Sequence, residues 1–253
     1  MSRQARQSSN SGIYHIIMRG INKQILFEDD EDREKFIGYL QYYQNIARYT
    51  IYGYCLMENH IHLLLKEGKE PIGNTMKRIG VSYVAWYNRK YERIGHLFQD
   101  RFKSEVVESD EYLLTVLRYI HQNPVKAGKE KSVENYKWSS YAEYVGLSNI
   151  VEASFILGIF AEERASSLVR FQQYMKEHTD ETCIEITDPK RMTDEEAKKV
   201  IQQYAKVNVP TGLQTMEKMK RDEIVRKIKE VDGISTRQIA RLTGISQSVI
   251  SKA

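Results

Sequence analysis

Four side chains in this chain have the types and the spacing to work on a phosphodiester. His60 and His62 lie two apart in HIHLLLK (60–66). On a strand, alternate residues share a face, so both imidazoles project together while Ile61 points away, about 6.6 Å apart along the backbone and near enough to converge on one divalent ion. Tyr119 and Asn123 lie four apart in YLLTVLRYIHQNP. On a helix they share a face, so an amide oxygen can reach an ion that stands beside the phenol. A tyrosine favoured as phenolate by a nearby metal charge is a sensible nucleophile for a phosphodiester and forms a stable phosphoester. Spacing alone also permits a plainer reading. The histidines can be polar residues on a solvated sheet face, and Tyr112 and Tyr119, seven apart, can be a packed aromatic stripe.

The elements needed to hold these residues are legible. GIYHIIMRG (12–20) reads as a strand closed by glycine. Asp29 or Asp30 can cap a helix with Phe36, Tyr39, Leu40 and Tyr43 at helical spacing. TIYGYCLM (50–57) and HIHLLLK (60–66) are separated only by Glu58 and Asn59, which predicts a tight hairpin. Pro71 opens a helix with Met76, Ile79, Tyr83 and Tyr87 inside and Lys77, Arg78, Arg89 and Lys90 outside. A fourth strand is expected near 103–108. Ser109 or Asp110 caps a last helix that Asn123-Pro124 should end, because the residue before proline disfavours the α region. The order β-α-β-β-α-β-α contains the ferredoxin-like arrangement, so the fold class is α+β: an antiparallel sheet with helices on one face, followed by an all-α module.

The chain has 253 residues, with 41% hydrophobic and 28% charged side chains, which fits a folded protein of one large or two ordinary domains. No run approaches the ~20 apolar residues of a membrane helix, and the N-terminus lacks an export h-region, so a cytoplasmic protein with no membrane partner is expected. Cys55 and Cys183 match no metal or redox spacing. The net charge of +4 is unevenly placed: 71–107 holds seven basic and three acidic residues, 151–190 four and eight, 215–253 nine and five. Two basic blocks flank an acidic stretch, a pattern suited to two nucleic-acid-facing modules, although a solvated helical face accounts for any single run. Fifteen of the seventeen tyrosines lie at or before Tyr144. They are half-buried rings with wet hydroxyls or stacking platforms for bases. The expected organisation is a flexible arm over 1–11, a first domain over 12–148, a helical connector over 149–190 and a helical module over 191–253.

Within that module, ISTRQIARLTGISQSVISKA (234–253) has a helix-turn-helix pattern: Ser235 as cap, small Ala240 at the crossing, Gly244 at the turn, Ser246 as second cap. A DNA-binding role competes with a hairpin that merely packs. For duplex DNA, the exposed candidates are Arg237, Ser246, Gln247, Ser248 and Lys252.

The segments GIYHIIMRGINKQILFEDDEDREKF, YCLMENHIHLLLK, YNRKYERIGHLFQDRFKS and YLLTVLRYIHQNPVKAG, in this order, resemble the REP-associated tyrosine transposases, members of the single-tyrosine HUH superfamily with an IS200-like transposase domain. The resemblance spans about 11–145. It implies that His60 and His62 bind Mg²⁺ or Mn²⁺ and that Tyr119 attacks DNA. Asn123 is carried over as third ligand from its i+4 position, where relatives use an amide or acid. The implied reaction is transesterification of a single-stranded DNA hairpin with a flanking guide sequence. It passes through a 5′-phosphotyrosine and needs no nucleotide cofactor, in keeping with the lack of a GxxxxGK[ST] loop. Arg19, Lys77, Arg78, Gln99, Arg101, Lys103 and Arg118 are the candidate DNA contacts in this domain. A monomer with its site built in cis is expected, a dimer being the alternative. Two other functions stay in view: a domesticated repeat-binding or transcription-regulating protein that does not cut, and a metal phosphoesterase using water in place of Tyr119.

Overall fold

A computed structural model of the chain describes residues 7–146, 149–177, 183–184 and 192–253. The described residues fall into two units, 7–184 and 192–253. Residues 1–6 of the expected arm, the expected boundary at 147–148 and the expected junction at 185–191 lie outside them.

In the first unit, β1 (Ile13–Arg19), α1 (Asp30–Ala47), β2 (Thr50–Leu56), β3 (His60–Lys66), α2 (Ile72–Lys90), β4 (Lys103–Val106) and α3 (Asp110–Lys126) follow one another. The four strands form one antiparallel sheet in the order β2-β3-β1-β4, the ferredoxin-like order. A capping box starts α1: Asp29 Oδ1 accepts from Asp32 N at 3.1 Å and Asp32 Oδ2 accepts from Asp29 N at 3.2 Å. Lys90, expected on the exposed face of α2, instead reaches across to that acidic first turn, its Nζ 2.8–2.9 Å from Asp29, Glu31 and Asp32. Three carboxylates at a helix N-terminus attract the ammonium, which draws Lys90 away from solvent.

Alternation along the strands decides which helix meets which face. Met18 meets Gly80 of α2, and Phe27, Phe36 and Tyr83 cluster where α1 and α2 cover that face. His60 and His62 point the other way, together with their register partners Arg19, Ile17 and Cys55. This second face is covered by α3. At Gly53, where β2 is irregular, a Cβ would stand 2.6 Å from Leu117 Cδ1, so α3 packs close because glycine leaves room for it.

The third helix does not stop at Asn123. It runs to Lys126 with Pro124 inside, and Ala127 N donates to Asn123 O at 3.0 Å. The proline removes the bond to the Ile120 carbonyl, but Leu117, Ile120, His121 and Pro124 itself are buried, and that packing outweighs the local preference.

Two further expectations are corrected. Residues 9–11 are tied down, Asn10 N and Ser11 N donating to the Glu108 carboxylate at 2.9 and 3.0 Å, because backbone donors beside β1 find an acceptor on the β4–α3 loop. The stretch read as a connector contributes α5 (Ala153–Phe160) and α6 (Arg164–Lys176) to the first unit's core, after the short α4 (Tyr141–Val145). Its acidic charge masks an apolar set, Ile156, Leu157, Phe171 and Met175, that is fully or nearly fully buried. Phe171 stacks on Tyr144 with ring centroids 4.7 Å apart.

The second unit comprises α7 (Asp194–Ala205), α8 (Lys218–Lys229), α9 (Thr236–Thr243) and α10 (Gln247–Lys252). Its core is Ile201, Leu213, Val225, Ile228, Ile239 and Ile250 with their neighbours. Ser235 caps α9, accepting from Gln238 N, and Gly244 closes it in the left-handed region at φ 72°. Ser246 stands at the start of α10 without accepting a capping bond. Its hydroxyl pairs with Ser248 at 3.1 Å instead.

Candidate metal and nucleophile site

The strand pair and α3 bring the four chemistry-bearing residues together. The ring centroids of His60 and His62 are 5.1 Å apart, and His62 and Tyr119 are 5.6 Å apart, edge to face. Asn123, one turn beyond Tyr119, reaches His60: its Oδ1 is 3.2 Å from His60 Nε2. Tyr119 and His62 are buried, while His60 is partly exposed at the edge of the cluster.

His60 has a second neighbour that orients its ring. Its Nδ1 is 2.7 Å from Asn59 Oδ1, and the Asn59 amide nitrogen donates to Lys23 O at 3.5 Å, which orients the oxygen toward the ring. With Nδ1–H donated to Asn59, Nε2 carries a lone pair, and it faces the Asn123 oxygen, another acceptor. In that tautomer the Nε2 lone pair and the Asn123 oxygen lie side by side, a donor set that fits an ion held by His60, His62 and Asn123. Among the described residues, no three His, Cys, Asp or Glu side chains gather to hold a metal; the set present is two imidazoles and an amide oxygen.

Electrostatics keep His62 neutral. Burial pushes the His62 pKa well below the ordinary imidazole range, and neighbouring His15 and His60 push it the same way. A neutral ring is the metal-binding form.

The candidate DNA contacts divide. Arg19 is the register partner of His60, so it flanks the cluster. Lys77, Gln99 and Arg101, distant in sequence, line one groove of about 830 Å³ with His96, Phe98 and Phe102. Lys103 is exposed on β4, and Arg78 is exposed with its guanidinium 3.1 Å from Glu70. Arg118 is a correction. It is buried, its guanidinium lies 4.0 Å from the Tyr174 ring centroid and 3.5 Å from Glu177, so it braces α3 against α6 and does not present to a phosphate. Helical position explains this: Arg118 is one residue before Tyr119 and so faces roughly a quarter-turn away from it. In the second unit, Arg237, Ser246, Gln247, Ser248 and Lys252 are all exposed.

Sequence reasoning passed over three neighbours. His15 Nε2 is 3.1 Å from His62 Nδ1, Glu105 Oε2 is 3.7 Å from His15 Nδ1, and Lys126 Nζ lies 5.1 Å from the Tyr119 ring centroid. The signal for His15 was present in GIYHIIMRG, a histidine in an otherwise apolar strand.

A ferredoxin-like sheet that presents a His-hydrophobic-His strand to a helix tyrosine defines a recognisable class of domain. Residues 8–123 match the family model described as transposase IS200 like. The chain is 26% identical over 157 residues to a protein of Haemophilus influenzae described as a REP-associated tyrosine transposase, covering 56% of this chain and 86% of that one. It also superposes, with a TM-score of 0.51 and 16% identity, on a solved REP-associated tyrosine transposase bound to a REP hairpin, over 60% of this chain and 96% of that one. The fold is thus shared over nearly the whole of that neighbour. Among the described residues, no helix is long and apolar enough to cross a membrane.

Proposed function

We propose that this chain cleaves and rejoins single-stranded DNA at hairpin elements by tyrosine transesterification. The observation that carries the reading is the convergence of His60, His62, Asn123 and Tyr119 on one spot between β3 and α3. When bound, a Mg²⁺ or Mn²⁺ ion supplies Lewis-acid polarisation of the scissile phosphate. His60 and His62 would offer it unprotonated nitrogens and Asn123 an amide oxygen. Tyr119 Oη attacks the phosphorus, the P–O3′ bond breaks, and the phenol proton ends on the departing 3′-oxygen. The products are a 5′-phosphotyrosine and a free 3′-hydroxyl. The reverse attack by a 3′-hydroxyl restores a phosphodiester, so joining draws on the bond energy already held.

The solved neighbour is bound to a REP hairpin, and a hairpin of that kind with a flanking guide strand is the proposed substrate here. Arg19 and the groove lined by Lys77, Gln99 and Arg101 are the proposed contacts to phosphate and unpaired bases. The exposed residues Arg237, Ser246, Gln247, Ser248 and Lys252 of the second unit are proposed to hold duplex DNA nearby on the chain, and the protein to act as a cytoplasmic monomer.

The test is a denaturing gel of the protein with end-labelled hairpin DNA from its own genomic neighbourhood and Mn²⁺. A covalent band that needs metal and is lost in Tyr119→Phe and in His60→Ala is expected. Cleavage that survives Tyr119→Phe points to a water nucleophile. Tight binding without cleavage points to a protein that only recognises the repeat.

A further inference from the structure

The imidazole of His15 has no place in the mechanism above, yet it is wholly buried and touches one of its ligands. It lies on β1 with Nε2 3.1 Å from His62 Nδ1, rings nearly parallel with centroids 5.4 Å apart, and with Tyr119 edge-on to it at 5.9 Å. Its other nitrogen, Nδ1, is buried without a hydrogen-bond partner, and the nearest charge is Glu105 Oε2 at 3.7 Å on the neighbouring strand β4. The register makes this no accident of rotamer: His15 is the β1 residue directly opposite Glu105, and its neighbour two along, Ile17, is opposite His62. The carboxylate is itself fixed, accepting from Ile184 N at 3.2 Å.

A neutral imidazole has one N–H and one lone pair, and here each choice has a consequence. If His15 carried its proton on Nε2, it would donate to His62 Nδ1. His62 would then keep its own proton on Nε2, leaving no lone pair for an ion, while His15 would aim the Nδ1 lone pair at a carboxylate. With the proton on Nδ1, the N–H dipole points at Glu105, Nε2 accepts from His62 Nδ1–H, and His62 Nε2 is left as the metal-binding nitrogen. The negative charge selects the second arrangement.

We infer that Glu105 and His15 form a relay of positioning residues that hold His62 in the tautomer able to bind the divalent ion. The inference rests on the metal reading of the site. The two ligands thereby have separate supports, since the Nδ1 of His60 faces Asn59. An arrangement of carboxylate, imidazole and ligand imidazole gives the buried ligand a support through two strands of the sheet, while the half-exposed ligand is held from a turn.

The experiment uses the full chain without DNA, in wild-type, His15→Leu, His15→Gln and Glu105→Leu forms, each first shown by melting to be folded. Two quantities are read. Long-range proton–nitrogen NMR spectra of histidine-labelled protein report the His62 tautomer in the absence of metal, and free-Mn²⁺ electron paramagnetic resonance reports Mn²⁺ affinity. The wild type is expected to show the Nδ1–H tautomer. Both leucine variants should lose its preference and bind Mn²⁺ about 10-fold or more weakly, the usual size of an outer-support effect, with partial recovery in His15→Gln, whose amide can both accept and donate. An Nε2–H tautomer in the wild type, or unchanged affinity in folded leucine variants of a metal-binding wild type, overturns the relay alone. A wild type that binds no Mn²⁺, with His60→Ala no different, overturns the metal reading itself, and the tautomer spectra still decide the relay. Should His15→Leu fail to fold, Glu105→Leu, at the partly exposed edge strand, carries the test.

Discussion

His60 Nε2 and Asn123 Oδ1 stand 3.2 Å apart, joining the first residue of a sheet strand to a helix one residue before the proline inside it. The contact predicts how the site responds to change. Asn123→Ala should leave the melting temperature within a degree or two and weaken Mn²⁺ binding by about 10-fold, measured by calorimetric titration, because a surface-edge amide contributes little to packing and much to the ion. Asn123→Asp, keeping an oxygen and adding charge, should bind at least as well as the wild type.

The closeness of α3 to the sheet at Gly53 gives a stability prediction. A Cβ there would meet Leu117 Cδ1 at 2.6 Å, so Gly53→Ala must push the helix or twist the leucine. A cost of about 1–3 kcal/mol in urea unfolding is expected, with a loss of DNA cleavage larger than that of stability, since the same shift separates Tyr119 from His62.

The DNA contacts should separate by salt dependence. Lys77→Gln and Arg101→Gln, at the groove, are each expected to lower the slope of log affinity against log salt by about one on single-stranded hairpin DNA, while Arg118→Met leaves the slope unchanged. Arg118→Met should instead destabilise the first unit by about 2 kcal/mol through the lost stacking on Tyr174.

His121 supplies a pH prediction. Full burial pushes its pKa down to about 3, and its Nε2 is 2.8 Å from Ser140 Oγ. The unfolded chain takes up a proton near the ordinary value of 6.5 while the folded chain does not, so stability is complete above that pH and falls as pH drops toward 3, by roughly 1.4 kcal/mol per unit. The slope between pH 6 and 4 in chemical unfolding should be shallower for His121→Phe than for the wild type by about that amount.

Much of this was legible in the residues. Period-two and period-3.6 patterns placed the four strands, α1, α2 and most of α3, because each element hides an apolar stripe that only one period can gather, and the HIH spacing put two imidazoles on one face. What escaped depends on contacts between distant residues. That α3 continues through Pro124, that Arg118 is buried against α6, and that Lys90 bends into the cap of α1 are decided by packing partners elsewhere in the chain, 59 residues away for Arg118 and Glu177 and 58 for Lys90 and Asp32. The pairing of His15 with Glu105 was invisible for the same reason: one lies in the first strand and one in the last, and only the sheet order makes them neighbours. The apolar core of α5 and α6 was hidden under an acidic surface charge that says nothing about what faces inward.

The most direct measurement is the identity of the residue that becomes joined to DNA. Full-length protein is incubated with a single-stranded hairpin and Mn²⁺, digested with nuclease and trypsin, and sequenced by mass spectrometry. A peptide containing Tyr119 that carries a 5′-linked nucleotide is the predicted result. The adduct on any other tyrosine, or cleaved DNA with no adduct on the protein, contradicts the account.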